Sequence, residues 1–223
     1  MKVSFAIPIY NHWNLTHQLL FDIYQKCPDV YEVIVVNDHC NDQDVLDGLE
    51  WWKSNGMLPI KVITLSRNVM FLRASNIAIQ QCTGDVIITI SNDVRIHNDI
   101  TKSIVELLNA NKRTLVGGRL LDWDTGWNTF NGRTFPYLEG WLLATTKDGW
   151  ERLGYFDERY MPSDMEDVDI STTAHEYKYL LVSLNSGDTT HLGAQSIGFN
   201  PAREAITIAN KEKFRRKWIE NEK

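Results

Sequence analysis

The sequence predicts an α/β domain built around a largely parallel sheet. Short runs rich in Val and Ile alternate with segments of helical periodicity, which is the pattern of repeated strand–helix–strand units. The run at 86–90 is hydrophobic apart from Thr89, as expected for a strand that is buried on both faces. The length of 223 residues favours a single domain over two small ones.

The elements of the first half follow in a regular order. A strand is predicted at 3–9, and Leu15, Leu19 and Ile23, spaced by four, predict a helix that ends before Pro28. A helix closed by Asn55-Gly56 is expected after the second strand. The other elements predicted here are strands at 33–36, 60–65 and 86–90 and helices at 44–54, 71–78 and 100–108.

The pattern changes near residue 119. The segment 119–136 is rich in Asp, Gly, Asn and Trp and lacks clean periodicity, so we predict a long loop, a feature that is usually functional when ordered. Beyond it we predict strands at 138–144 and 179–184, and helices from 147, at 165–177 and at 203–218.

Charge and composition exclude several classes of protein. Lys and Arg number 23 against 29 Asp and Glu, a net charge of -6, so no global positive field attracts nucleic acid or anionic lipid. Three cysteines without a C-x-x-C pair predict neither a disulfide framework nor a cysteine metal site and favour a reducing compartment. The first apolar run is too short for a signal peptide, and no stretch approaches a membrane span. We therefore expect a soluble cytoplasmic protein.

Polar residues follow three of the predicted strands. In an open α/β sheet the ligand crevice lies beyond the carboxyl ends of the strands, so these residues are expected to converge. Each alone is typical of a turn, whereas three groups at one sheet edge indicate a binding site. Neither G-x-G-x-x-G nor a P-loop occurs, so a bound phosphate would need a divalent cation instead. The three groups are Pro8, Tyr10 and Asn11, then Asn37 and Asp38, then Ser91, Asn92 and Asp93.

An ordered set of motifs resembles the nucleotide-binding half of family-2 glycosyltransferases. The resemblance covers roughly residues 2–195, and the set is specific although each motif alone is weak. The motifs are Phe5-Ala6-Ile7-Pro8-Ile9-Tyr10-Asn11, Glu32-Val33-Ile34-Val35-Val36-Asn37-Asp38, Asn68 with Ala74-Ser75-Asn76, Gly84-Asp85-Val86-Ile87 leading to Ser91-Asn92-Asp93, Phe156-Asp157-Glu158, and Glu166-Asp167-Val168-Asp169.

This resemblance implies a single-domain GT-A fold, Rossmann-like with a mostly parallel central sheet. It also implies transfer of a sugar from a nucleoside diphosphate, most simply UDP, to an acceptor hydroxyl with inversion at the anomeric carbon. Residues 1–118 would hold the nucleotide sugar, and 119–223 would bind the acceptor and supply catalysis. Asp38 would read the base, Asp85 would lie near the base or ribose, and Gly140 and Trp141 would lie beneath the donor sugar. The full donor set is Pro8, Tyr10, Asn11, Asp38, Asn68, Asn76, Asp85, Asn92, Gly140 and Trp141.

The resemblance also implies a metal site with one departure from the family pattern. Asp93 occupies the last position of the family's Asp-x-Asp motif, but Ser91 replaces the first carboxylate. His191 lies where a histidine completes the metal site in galactofuranosyltransferase-like members. Imidazole with carboxylate and phosphate oxygens suits Mn²⁺ better than Mg²⁺. A literal Asp-x-Asp, Asp122-Trp123-Asp124, lies in the predicted loop and is the weaker alternative.

The acidic pair Glu166-Asp167 supplies the candidate catalytic base. Ser163 and Glu166 match the S-x-x-E capping box, which would hold Glu166 against the helix start and leave Asp167 free. Inverting transfer needs one base to take the acceptor proton, unlike the two carboxylates of glycoside hydrolases. Asp167 is the predicted base, with Glu166 as the alternative.

Several questions stay open from the sequence. A nucleotidyltransferase acting on sugar phosphates and a non-catalytic sugar-binding protein are alternatives. The acceptor is open among polysaccharide, lipid-linked glycan, protein and modified nucleic acid, and no motif indicates an oligomeric state. Five cations and two aromatics in 211–218 indicate either a local contact with an anionic partner or the solvated face of a last helix.

Overall fold

The computed structural model describes residues 1–193 and 201–220. Helices and strands alternate along most of the chain, as the sequence pattern predicts. The α-helices are α1 (Trp13–Lys26), α2 (Gln43–Asn55), α3 (Phe71–Gln81), α4 (Ile100–Ala110), α5 (Lys147–Leu153), α6 (Glu166–Glu176) and α7 (Pro201–Trp218).

The strands comprise seven that form the main sheet and six short ones. In chain order the strands are β1 (Val3–Ile9), β2 (Val30–Asn37), β3 (Ile60–Thr64), β4 (Val86–Ile90), β5 (Val94–Ile96), β6 (Thr114–Gly117), β7 (Leu120–Leu121), β8 (Thr129–Phe130), β9 (Arg133–Thr134), β10 (Tyr137–Leu138), β11 (Leu142–Thr146), β12 (Leu180–Ser183) and β13 (Thr189–His191).

The main sheet has the order β12-β6-β11-β4-β1-β2-β3. β1 pairs in parallel with β2 and β4, β2 with β3, and β6 with β12, whereas β11 is antiparallel to both neighbours. The predicted α/β fold with a mostly parallel sheet is therefore confirmed. Because β4, β1 and β2 are adjacent, the polar residues that follow them lie at one edge of the sheet.

Helices cover both faces of the sheet. Successive side chains of a strand point to opposite faces, so Phe5 and Ile7 of β1 join one hydrophobic cluster and Ala6 joins the other. The first cluster includes buried residues of α1, α2 and α4, and the second includes those of α3, α5, α6 and α7. No helix of the described residues is long and apolar enough to cross a bilayer.

The sequence prediction was incomplete around 114–146. The strand β6 was missed, because its four residues are too few to show a periodicity. The predicted loop 119–136 contains β7, β8 and β9, which are two-residue strands. The strand predicted at 138–144 is two strands, β10 and β11, so Gly140 and Trp141 lie in the connection between them rather than in a strand.

The predicted division at residue 118 concerns roles rather than folding units. One sheet runs through both parts, since β11 and β6 from either side of the division pair with each other. The assignment of donor and acceptor roles to 1–118 and 119–223 stays a prediction.

Candidate active site

A cleft of about 1080 Å³ lies beyond the carboxyl ends of β1, β2 and β4. Most of the residues that the sequence singles out line it, although they come from segments far apart in the chain. The predicted site residues in its lining are Pro8, Tyr10, Asp38, Asn68, Asn92, Asp93, Gly140, Trp141, Glu166, Asp167 and His191.

The two predicted metal ligands, Asp93 and His191, are in contact. The Nε2 atom of His191 lies 3.3 Å from the Oδ1 atom of Asp93. An antiparallel ladder between β5 and β13 sets this distance, because it pairs His191 with Val94 and lets the Leu192 N–H donate to the Asp93 carbonyl. Neither of these short strands was predicted from the sequence.

Trp141 holds the imidazole of His191 in place. Its ring stacks on that of His191, with centroids 5.1 Å apart and an interplanar angle of 18°. The Trp141 carbonyl accepts the Ser91 N–H, and its indole N–H donates to Glu139. A Cβ atom at Gly118 would lie 1.8 Å from the Trp141 ring, so only glycine leaves room for the indole. Trp141 thus links the end of β4, through its carbonyl, to His191 of β13, through its ring.

Asp167 lies at the start of α6 and is partly exposed to the cleft. Its Oδ2 accepts the Gly140 N–H at 3.2 Å and its Oδ1 accepts the Val168 N–H at 2.8 Å. A Cβ atom at residue 140 would lie 3.2 Å from the Asp167 Cβ, which explains a glycine there. Burial raises the pKa of Asp167 to about 6, against the lowering effect of the two backbone N–H groups.

Glu166 is more deeply buried than its neighbour. Its side chain is 7% exposed, and its Oε2 has no hydrogen-bond partner among the described residues. Burial and the charge of Asp167 raise the pKa of Glu166 well above its usual value. The predicted capping box is wrong, because α6 begins at Glu166 after Met165, and the Ser163 hydroxyl makes no cap.

The last helix, α7, fixes the backbone that precedes the acidic pair. Asp164 and Met165 adopt positive φ angles of 73° and 77°, which are strained for residues with a side chain. Arg203 and Thr207 of α7 donate to the Asp164 carboxylate at 2.7 and 2.6 Å. Asn210 donates to the Asp164 carbonyl as well. Sequence reasoning missed Arg203 and Asp164 as cleft residues, because nothing in their spacing indicates that they meet.

Two predicted nucleotide-side residues shape the opposite wall of the cleft. The Oδ1 of Asp38 accepts the Val69 N–H at 2.7 Å, and the Oδ1 of Asn68 accepts the Met70 N–H at 2.9 Å. These bonds order the backbone between β3 and α3. Asp38 therefore has one carboxylate oxygen engaged by the protein, and it lines the cleft.

Asn92 and Asn11 form a support beneath the cleft. The Asn92 amide donates to the Asn11 carbonyl at 3.1 Å and to the Thr16 hydroxyl at 3.0 Å. Asn11 does not line the cleft, and its Oδ1 is buried without a partner among the described residues. The Asn92 side chain therefore joins the end of β4 to the Asn11 backbone and to Thr16 of α1.

The structure places two predicted donor residues outside the cleft. Asp85 precedes β4, at the opposite edge of the sheet, and its carboxylate accepts the Lys2 backbone N–H. Asn76 lies on α3, where its amide donates to the Phe156 carbonyl and accepts the Phe156 N–H. Neither residue lines the cleft and both make bonds within the protein, so their placement does not favour the donor contact, which stays a prediction.

The cationic stretch 211–218 is largely committed to contacts within the chain. Lys217 bonds Asp157 and Asp169 at 3.0 and 2.8 Å, while Phe214 is fully buried. Lys211, Lys213, Arg215 and Arg216 each bond a carbonyl, amide or carboxylate oxygen of the protein. The predicted anionic contact is thus not favoured, and the stretch anchors α7.

The literal Asp-x-Asp of the loop lies apart from the candidate metal ligands. Neither Asp122 nor Asp124 lines the cleft, and Asp124 accepts the Gly126 N–H at 2.8 Å. Within the described residues no group of three acidic, His or Cys side chains forms a metal cluster. Among the described residues, Asp93 and His191 therefore stay the predicted metal ligands at the cleft.

Comparisons with known proteins agree on the fold. The profile described as Glycosyl transferase family 2 matches residues 4–173. A curated relative, Uncharacterized glycosyltransferase sll0501 of Synechocystis sp. (strain ATCC 27184 / PCC 6803 / Kazusa), is 28% identical over 109 residues, which are 48% of this chain and 34% of that protein. This chain thus spans about a third of the curated relative.

Three solved structures resemble the chain over nearly its whole length. GalNAc-T7 with UDP, GalNAc and Mn²⁺ superposes with a TM-score of 0.79 at 16% identity, covering 99% of this chain and 49% of that one. Mannosyltransferase PcManGT from Pyrobaculum calidifontis with GDP-Man and Mn²⁺ gives 0.71 at 18% identity, covering 95% and 64%. S. aureus TarS 1-349 gives 0.68 at 16% identity, covering 100% and 74%. The chain has the GT-A fold and, because the family profile matches most of its length, it belongs to glycosyl transferase family 2.

Proposed function

We propose that this chain transfers a sugar from UDP-sugar to an acceptor hydroxyl, with Mn²⁺ and with inversion at the anomeric carbon. The observation that carries the proposal is the convergence of Asp93, His191 and Asp167 on one cleft at the carboxyl edge of the sheet. The neighbours support the same chemistry, since GalNAc-T7 was solved with UDP and Mn²⁺ and PcManGT with GDP-Man and Mn²⁺.

Asp93 and His191 fit a divalent cation of intermediate hardness. Their contact of 3.3 Å brings one carboxylate oxygen and one imidazole nitrogen together at the cleft wall. This mixed donor set suits Mn²⁺, with diphosphate oxygens and water expected to complete its coordination. When bound, the ion supplies Lewis-acid stabilisation of the negative charge on the leaving diphosphate. Trp141 then acts as a positioning residue that keeps the imidazole aimed at Asp93.

The nucleotide would lie against the wall formed by Asp38 and Asn68. One oxygen of Asp38 is bound by the Val69 N–H, which orients the carboxylate and leaves the other oxygen for a base N–H. The donor sugar would lie beside Gly140 and Trp141. Asp85 and Asn76 are left out of the proposed set, because neither lines the cleft and both make bonds within the protein.

Asp167 acts as the general base in the proposed step. The acceptor oxygen forms a bond to the anomeric carbon while the bond from that carbon to the diphosphate oxygen breaks on the opposite face. The proton of the acceptor hydroxyl passes to the Asp167 carboxylate. Since the pKa of Asp167 is raised to about 6, the carboxylate is charged at neutral pH and more basic than an ordinary aspartate.

Product analysis tests this function. The protein is incubated with UDP-sugars, Mn²⁺ and a set of acceptors, and the released nucleotide and the anomeric configuration of the product are measured. Release of UDP with inversion, abolished by chelation, supports the proposal. Release of pyrophosphate would support a nucleotidyltransferase, and retention of configuration or activity without metal would contradict the proposed mechanism.

A further inference from the structure

The loop at 119–136 buries some of its aromatic residues and exposes others. Phe130 and Phe135 are 9% and 4% exposed, and both rings contact Phe214 of α7 with centroids 5.1 Å apart. Trp123 and Trp127, on the same loop, are 51% and 47% exposed. The loop is thus anchored to the core at one end, while two indoles remain in contact with solvent at the other.

Hydrogen bonds from buried and neighbouring side chains order the exposed turn. Asn128 is fully buried, and its amide donates to the carbonyls of Trp123 and Phe135. Its Oδ1 accepts both the backbone N–H and the hydroxyl of Thr125. Lys211 of α7 donates to the Gly126 carbonyl at 2.7 Å. The backbone that carries Trp127 is therefore held in one conformation with its indole outward, which lowers the entropic cost of binding.

Trp127 lies in the wall of the same cleft as the proposed base. Tyr137 lines the same cleft, and burial together with the charge of Asp167 raises the pKa of its hydroxyl. A molecule that rests on Trp127 would therefore place its next group towards Asp167. We expect the acceptor on this side of the cleft. The nucleotide would lie against the wall around Asp38, which belongs to the first half of the sheet.

The charge of the cleft limits the class of acceptor that can bind there. Among the described residues, its lining includes seven carboxylates and one arginine, Arg203, which is paired with Asp164, and the Lys211 ammonium lies 5.7 Å from the centroid of the Trp127 ring. An anionic acceptor would be repelled by these carboxylates. A neutral pyranose offers an apolar C–H face that packs on an indole and hydroxyls that carboxylates accept. The carboxylates of the lining are Asp38, Asp93, Glu139, Asp164, Glu166, Asp167 and Glu204.

From these contacts we propose that Trp127 is the stacking platform of an acceptor subsite for a neutral carbohydrate, whose terminal pyranose it presents to Asp167. The inference rests on the proposed function and names its acceptor class. Trp123 is outside this platform, because it does not line the cleft and the Arg119 guanidinium lies over its ring.

A binding experiment on the whole chain tests the subsite without requiring turnover. The protein, with Mn²⁺ and UDP, is applied to an array of neutral and anionic glycans and of peptides, and the neutral glycan bound best is titrated calorimetrically. Trp127→Ala is expected to weaken glycan binding at least tenfold, and Trp127→Phe by threefold or less. Trp51→Ala is the matched control, because Trp51 is 49% exposed and lies on α2 outside the cleft, and it should change nothing.

The same experiment separates the two hypotheses. If UDP binds with Mn²⁺ but no neutral glycan binds, or glycan binding is the same in Trp127→Ala, the acceptor subsite is wrong and the proposed function stands. Preferential binding of anionic glycans or peptides would also overturn the subsite. If UDP does not bind with Mn²⁺, the proposed function fails first. Unchanged UDP affinity in Trp127→Ala shows that the variant is folded.

Discussion

His191 Nε2 lies 3.3 Å from Asp93 Oδ1; His191 ends β13, and Asp93 immediately precedes β5, the strand with which β13 pairs. In the proposed metal site, His191 would compensate for the serine that replaces the first carboxylate of the family's Asp-x-Asp motif. The stacked ring of Trp141 and the acidic pair at the start of α6 lie in the same cleft. A metal, a diphosphate and a base could therefore act on one sugar.

Replacing the proposed base should abolish transfer but leave the nucleotide site intact. In Asp167→Asn the carboxylate that takes the acceptor proton is lost, so we expect kcat to fall by 10²–10⁴, the range for a general base. The affinity for UDP with Mn²⁺ should stay within about threefold of that of the unmodified protein. Glu166→Gln is the control. A normal kcat in Asp167→Asn would show that another group is the base.

The same carboxylate should make the fold less stable as pH rises. Its pKa in the folded state is about 6, above the 3.8 of an ordinary aspartate, so between these values the folded protein holds a proton that the unfolded chain has lost. The free energy of unfolding should therefore decrease as pH rises through this window and stay lower above it. Because Asp167 is partly exposed, Asp167→Asn should gain about 1–2 kcal/mol at pH 7.5.

Urea unfolding at pH 4 and pH 7.5 measures this effect. Most of the stability gained by Asp167→Asn should disappear at pH 4, where the native carboxyl is already protonated. An equal gain at both pH values would mean that the asparagine acts through packing and that the burial of the charge has no part in it.

The positions of Asp38 and Asp85 predict different effects on UDP affinity, which can be compared directly. Asp38→Asn should weaken UDP binding about tenfold, because a charged acceptor for the base N–H is lost. Asp85→Asn should leave the affinity unchanged, since this residue lies at the far edge of the sheet and accepts the Lys2 N–H. Calorimetric titration with UDP and Mn²⁺ distinguishes the two variants. A loss of affinity in Asp85→Asn alone would reverse the assignment.

Asn76 is expected to matter for stability and not for the donor. Asn76→Ala removes both bonds to the Phe156 backbone. The buried N–H and carbonyl of Phe156 then lack partners, which should lower the free energy of unfolding by about 1–3 kcal/mol. Gln80→Ala, on the exposed side of the same helix, is the control. Urea unfolding should show the difference, and UDP affinity should be equal in both variants. A weaker UDP affinity in Asn76→Ala at unchanged stability would restore the donor role.

The sequence predicts most of the sheet and helices because their periodicities are local. Val86–Ile90 is apolar apart from Thr89 and was identified with its bounds, as was Val3–Ile9. The short strands β5 and β13 have only three residues each, and their pairing depends on the tertiary fold. Sequence spacing therefore cannot show why Asp93 meets His191, although the family resemblance suggests that they should.

The direction of β4 explains why Asp85 does not lie at the candidate site. A polar residue before a strand lies at the opposite edge from one after it, and Asp85 comes before β4 whereas Asp93 comes after. The capping box at Ser163 was wrong for a different reason. The contacts of Arg203, Thr207 and Asn210 with Asp164 hold that segment in positive φ angles, so tertiary bonds override the local helix-start signal.

The most direct test of the account is a calorimetric titration of UDP into the protein with and without Mn²⁺. We expect Mn²⁺ to strengthen UDP binding at least tenfold in the unmodified chain and to have no effect in His191→Ala or Asp93→Asn. His97→Ala is the matched control, since His97 is exposed beside the same strands and bonds the Thr190 hydroxyl. UDP affinity that is independent of Mn²⁺, or equally dependent in His191→Ala, would contradict the proposed metal-assisted site.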